Sequence, residues 1–167
     1  IVATADTIIV GAYGDDDNGS GSGSVYVYDA NNLSAQPTKL TAFDGAVNDR
    51  FGWSITVGGG KIIVYANGDD DKGSASGSVY VFDENDLSAT PTKLTAFDGA
   101  ASDYFGYSIV ATADKIIVGA YDDDDNGSSS GSVYVYDIND LSAQPTKLTA
   151  FDGAASDYFG YSVASVS

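Results

Sequence analysis

The sequence superimposes on itself at one spacing, 54 residues, with no insertion or deletion across three copies. Phe51, Phe105 and Phe159 fall in register, as do Val25, Val79 and Val133. Residues 1–54 and 109–162 agree at 45 of 54 positions, and the middle copy agrees with the third at 41, so connections between elements have the same lengths in every copy. Such a chain is an array of one supersecondary unit whose copies cover one another. Repeats are expected over 1–54, 55–108 and 109–162, with 163–167 starting a further innermost strand.

Four short runs in the third copy read as strands: 107–113, 115–120, 131–136 and 146–151. Ile116, Ile117 and Val118 form a continuous apolar run, as in a strand covered on both faces. Val133, Tyr134, Val135 and Tyr136 alternate branched and aromatic side chains. These two runs are the interior strands. Pro145 opens the fourth, where a missing amide donor is tolerable, and Lys147 is expected to point a charge outward from an outer edge. The connections are rich in Asp, Asn, Gly and Ser, and Glu84 is the one acidic residue that is not Asp. Short polar side chains compete with the helical backbone and suit turns. The fold class is therefore all-β: three four-stranded antiparallel blades of a β-propeller.

Composition removes several functions. Seven Lys and Arg against 24 Asp and Glu give a net charge of -17. That charge repels the phosphates of nucleic acid and anionic membrane surfaces. No apolar stretch has the length for membrane insertion. Without Cys or His there is no thiolate, no imidazole base and no zinc site of the usual kinds. Met is absent and no signal pattern precedes Ile1, so we read a mature or excised segment.

Phe51-Gly52, Phe105-Gly106 and Phe159-Gly160, with IIVGA at residues 8–12 and 116–120, resemble the FG-GAP repeats of integrin α-subunit propellers. The whole chain is also similar to tandem FG-GAP proteins of bacteria and microalgae, many of them exported. The resemblance implies a propeller fold and an extracellular or cell-surface location. Two departures stand out. Tyr13 and Tyr121 replace the family's Pro, and the middle copy reads Tyr65-Ala66-Asn67. The integrin calcium loops lie between first and second strands, where this chain has only short turns, so those sites do not transfer.

Antiparallel strands reverse direction, so the second-to-third loop and the loop to the next blade emerge at one end. Six of the nine carboxylates of the third copy collect there. Calcium takes six to eight oxygen ligands in irregular geometry. Candidate ligands are Asp15 with Asp17, Asp69 with Asp71, and Asp123 with Asp125. Asp44 or Asp49 would complete the first site, and Asp98, Asp103, Asp152 and Asp157 hold equivalent positions in the other copies. The alternative is that these loops are solvated turns whose charge keeps a Tyr-rich sheet protein soluble. Lys72 replaces Asn18 and Asn126, offering an internal cation in place of metal in the middle copy.

Phe51, Phe105 and Phe159 are expected in the packing between blades, and the strand tyrosines in a cross-blade aromatic layer. Arg50 and Trp53 break the repeat pattern and are candidate ligand-binding residues. Asn18, Asn32 and Asn126 match the N-glycosylation acceptor. No catalytic residue is assigned, because one constellation in exposed turns recurs three times whereas catalysis needs one preorganised site. Three blades leave two apolar faces uncovered, and propellers have four to eight blades. Completion is expected by self-association, such as two chains pairing into a six-bladed ring, or by neighbouring repeats of a longer chain. The phase of the two ends favours a segment of a larger array. The expected function is a non-enzymatic extracellular module for adhesion or structural assembly, with calcium as candidate cofactor. A glycan-binding module and a filament or sheath subunit are the alternatives, with a protein or glycan as ligand.

Overall fold

Each copy folds as a four-stranded antiparallel meander. The computed structural model describes residues 1–165. Its first sheet comprises β1 (Val2–Ala3), β2 (Thr7–Ala12), β3 (Ser24–Asp29) and β4 (Thr38–Leu40). The second contains β5 (Phe51–Gly58), β6 (Lys61–Ala66), β7 (Ser78–Asp83) and β8 (Thr92–Leu94). The third holds β9 (Ser108–Ala111), β10 (Lys115–Ala120), β11 (Ser132–Asp137) and β12 (Thr146–Leu148). All pairings are antiparallel, and the second and third strands of each blade are central, as the apolar runs require.

The fourth strand is shorter than its apolar run. Residues 149–151 leave the sheet because the Ala150 carbonyl accepts the Gly153 N–H in a turn. The repeat boundary at 54/55 falls inside β5 and that at 108/109 inside β9, so β5 starts ahead of its sequence unit, at Phe51, and β9 at Ser108. Residues 163–165 carry no strand, and the remainder of the expected innermost strand, 166–167, lies outside the described residues.

Period-two alternation stacks the blades. In the second sheet, Ile62, Val64, Tyr80 and Phe82 face the first blade and pack with Ile9, Val25, Val27 and Leu40. Their neighbours Ile63, Val79, Val81 and Leu94 face the third blade, against Ile116, Val118, Tyr134 and Tyr136. Two cores result, one per junction. Each is sealed by the Phe of a Phe-Gly pair: Phe51 lies edge-on to Tyr80 at 5.3 Å, and Phe105 to Tyr134 at the same distance. Phe159 is half-buried, since among the described residues no blade lies against it.

The glycines have a geometric task. A Cβ on Gly11 would overlap the carbonyl of Gly52, so strand two of one blade meets the Phe-Gly backbone of the next. Gly52 itself sits at φ 89°, which favours glycine. In the middle copy Tyr65 occupies the place of Gly11, and its ring lies over Gly106.

Candidate functional site

The loop from β6 to β7 carries Asp69-Asp70-Asp71, and the three carboxylates divide the work. Asp69 Oδ1 accepts the Asp71 N–H at 3.2 Å and the Ser78 hydroxyl at 2.8 Å, which closes the turn onto β7. Asp70 reaches forward five residues to the Ala75 N–H at 2.7 Å. Asp71 turns to the lysine of the outer strand, Lys93. The third blade repeats this with Asp123, Asp124 and Asp125. The first keeps the N–H bonds of Asp17 to Asp15 and of Gly21 to Asp16, but its Ser24 hydroxyl does not reach Asp15.

The connection between blades is docked onto these loops. Ser102, Tyr104 and Phe105 donate their N–H groups to the carbonyls of Ser74, Ala75 and Ser76. Ser102 and Tyr104 adopt φ of 70° and 53°, a left-handed conformation unfavourable for non-glycine residues, and the pattern recurs at Asn48 with Arg50 and at Ser156 with Tyr158. The buried residue between them, Asp103, turns inward to accept the Ala100 N–H at 2.6 Å. Burial is the main reason its carboxyl is pushed up to about 6, with the nearby Asp123 adding to the effect. Asp49 is raised for the same first reason.

The centre of each site is a lysine. Lys93, on β8, places Nζ 2.7 Å from Asp44, 2.8 Å from Asp69 and 2.7 Å from Asp71. The Tyr80 hydroxyl shares its proton between Asp44 at 2.7 Å and Asp69 at 2.9 Å. Lys147 repeats the arrangement with Asp98, Asp123 and Asp125 at 2.8, 3.0 and 2.6 Å, under the Tyr134 hydroxyl. Burial opposes the charge on both lysines, but the carboxylate hydrogen bonds outweigh it and hold their pKa above the ordinary value. In Asp44 and Asp98, burial raises the pKa while the lysine and tyrosine bonds lower it, and the net shift is downward.

This corrects three expectations. Lys147 does not point outward: its side chain is only 12% exposed and tied to three carboxylates. Asp44 does not complete the Asp15 and Asp17 pair of its own blade, because the loop crosses the junction and delivers it to Asp69 and Asp71. The middle-copy cation is Lys93, whereas Lys72 makes no ion pair among the described residues. Asp49, Asp103 and Asp157 bond to N–H groups of their own loops, at Ala46, Ala100 and Ala154. Lys39, Lys93 and Lys147 were visible as the cation kept in all three copies, a signal that outer-edge reasoning passes over.

Asp44, Asp69 and Asp71 place carboxylate oxygens within 4.8 Å of one another, a set whose charge suits a cation. An ammonium already stands among them, so a calcium ion would have to displace Lys93. The first blade differs. Lys39 pairs with Asp15 at 3.2 Å and with Asp17, and among the described residues no loop supplies the counterpart of Asp44.

Arg50 and Trp53 do come together. The guanidinium carbon lies 5.8 Å from the Trp53 ring, and Tyr13 packs on the same indole at 4.8 Å. At the third blade the equivalent positions carry Tyr104, stacked on Tyr121 at 5.5 Å, and Tyr107, edge-on to Tyr121 at 4.5 Å. Asn18, Asn32 and Asn126 are exposed; the Asn18 side-chain amide donates to the Ala42 carbonyl at 3.2 Å.

Four-stranded antiparallel wedges, stacked face to face and locked by a loop from the preceding blade, define a protein of propeller blades. The FG-GAP repeat family model matches residues 2–28, 35–82, 90–136 and 143–166, and the chain belongs to this family. The two complete matches run from the outer strand of one blade through three strands of the next, so each contains one locked junction. No curated protein matches the chain.

Proposed function

We propose that the chain is a non-enzymatic extracellular module for adhesion or structural assembly. One observation carries this reading: the rim chemistry is spent on architecture. Asp69 and Asp123, Ser78 and Ser132, Tyr80 and Tyr134, and Lys93 and Lys147 satisfy one another across each junction in the same arrangement. A site that recurs at every joint serves the joint. Membership of the FG-GAP family supports an extracellular setting, and among the described residues no helix is long and apolar enough to cross a membrane.

The test is retention. Beads coated with the folded chain are presented to matrix proteins, cell surfaces and a glycan array, beside beads coated with an acidic globular control. Retention above the control supports adhesion, and concentration-dependent particles in light scattering support assembly. Neither result on any surface or at any concentration overturns the reading. Calcium belongs to the proposal as a competitor of the lysines: a rise in Tm at millimolar calcium, with magnesium as control, assigns it a role, and no shift leaves the joints to lysine.

Glycan binding has its own supporting observation. Trp53 and Tyr13 are about half exposed and Arg50 lies against the indole, a flat aromatic surface beside hydrogen-bond donors. Saturable sugar binding abolished by Trp53→Ala supports this reading, and indifference to that substitution removes it.

A further inference from the structure

We infer that the cavity between the first two blades, at the rim opposite the lysine sites, binds an ammonium ion carried on a short aliphatic chain. The cavity measures about 240 Å³ and is walled by Ile9, Val27, Ile62 and Leu87, with Asp6 and Glu84 among its polar residues. Position by position, the second junction has Ile63, Val81, Ile116 and Leu141 in those walls. There Ile138, at the position of Glu84, is 4% exposed and joins all four in one apolar cluster. Glu84 is exposed instead, so the walls of the first junction lack the side chain that closes the second. Both walls come from adjacent blades, and the site is complete within one junction.

Charge differs between the two junctions as well. At the second, Gly60 stands in place of Asp6 and Lys61 in place of Thr7, and the Lys61 ammonium pairs with Asp83 at 3.0 Å. The first has two exposed carboxylates, Asp6 and Glu84, and neither has an ion pair among the described residues. Their turns are fixed by the chain itself. Thr4 Oγ1 accepts the N–H groups of Asp6 at 3.3 Å and of Thr7 at 3.0 Å, and the Glu84 N–H donates to the Gly60 carbonyl at 3.1 Å. An alkyl chain gains by leaving water against the apolar walls, while its ammonium stays at the outer edge with the two carboxylates. A metal ion would forgo the walls, and a neutral chain would forgo the carboxylates. The volume is below the roughly 300–1,000 Å³ of a drug-sized ligand's site, so the ligand is small: a free alkylamine, or one lysine side chain presented by another protein.

The experiment is a titration of the 167-residue chain with n-butylammonium chloride, followed by methyl NMR. The methyls of Ile9, Val27 and Leu87 should shift saturably with a Kd on the order of 1 mM, while Ile63, Val81 and Leu141, their counterparts at the second junction, stay still. n-Butanol, which lacks the charge, and ammonium chloride, which lacks the chain, should each bind at least about tenfold more weakly. Glu84→Ile copies the second junction and should abolish the shifts without lowering Tm. Glu84→Gln keeps the side chain's shape, should raise the Kd about tenfold, and carries the test if Glu84→Ile does not fold. Nα-acetyl-lysine methylamide separates the two sources: binding as tight as that of butylammonium assigns a protein lysine, and binding at least about tenfold weaker assigns a free amine. Unmoved methyls, equal shifts at both junctions, or butanol binding as well as butylammonium overturns the proposal. So does binding that survives the Glu84 substitutions unchanged. Bead retention is read separately, so adhesion and this site stand or fall independently.

Discussion

Residues of one type do different work along the rim. In each Asp triplet the first carboxylate is buried or half-buried under a tyrosine, the second closes the loop, and the third meets the lysine. Removing one member of a buried charge set leaves the others uncompensated, at a cost of about 3–5 kcal/mol. Lys93→Ala should therefore destabilise by roughly that amount in chemical denaturation, and Lys39→Ala far less, because its site is open and lacks the third carboxylate. Calcium should recover part of the lost Tm in Lys93→Ala, where three carboxylates face a vacated centre. Asp103 gives the opposite pH response from its neighbours. Its folded pKa of about 6 exceeds the ordinary 3.8, so the folded state holds this proton more tightly than the unfolded chain. That stability is complete below about pH 4 and is lost as pH rises to about 6. Asp44 and Asp98, shifted downward, contribute stability above the ordinary value and lose it as the solution turns more acid. Asp103→Asn, which retains an acceptor for the Ala100 N–H, should be more stable than the parent at pH 7 by on the order of 2 kcal/mol and equal to it near pH 4.

At the scale of elements, strand and loop positions follow from local pattern, whereas the closeness of neighbouring blades depends on missing side chains. Gly11→Ala puts a methyl group into the Gly52 carbonyl and should cost about 1–3 kcal/mol. Gly14→Ala, with nothing within 4 Å of the added carbon, should fall within about 0.5 kcal/mol of the parent. Denaturant midpoints of the two variants separate the effects: if both move equally, backbone contact between blades is not what glycine provides at residue 11. The middle copy shows a second solution, since Tyr65 fills with a ring the space that the other copies close by backbone approach. The fourth strand was overextended by sequence reasoning because the apolar Ala150 and Phe151 continue its pattern. Ala150 instead anchors a turn, and Phe151 is carried past the sheet to an exposed position.

Of the three blades described, the middle one feeds both cores and each outer one feeds a single core. Amide exchange should be slowest in β6 and β7, which feed both cores, and faster in β2, β3, β10 and β11. Equal protection in all three blades would mean that stacking does not set local stability.

The sequence alone determined the period, the all-β class, the central strands and the collection of Asp residues at one end, because each rests on periodicity or strand reversal within about 54 residues. It did not determine which carboxylate meets which cation. Lys93 takes Asp71 from its own blade and Asp44 from 49 positions earlier, across a junction. That meeting depends on how one sheet is rotated against the next. Rotation is set by the packing of Phe51, Tyr80 and the Gly11–Gly52 contact, and packing of whole faces leaves no local period to read.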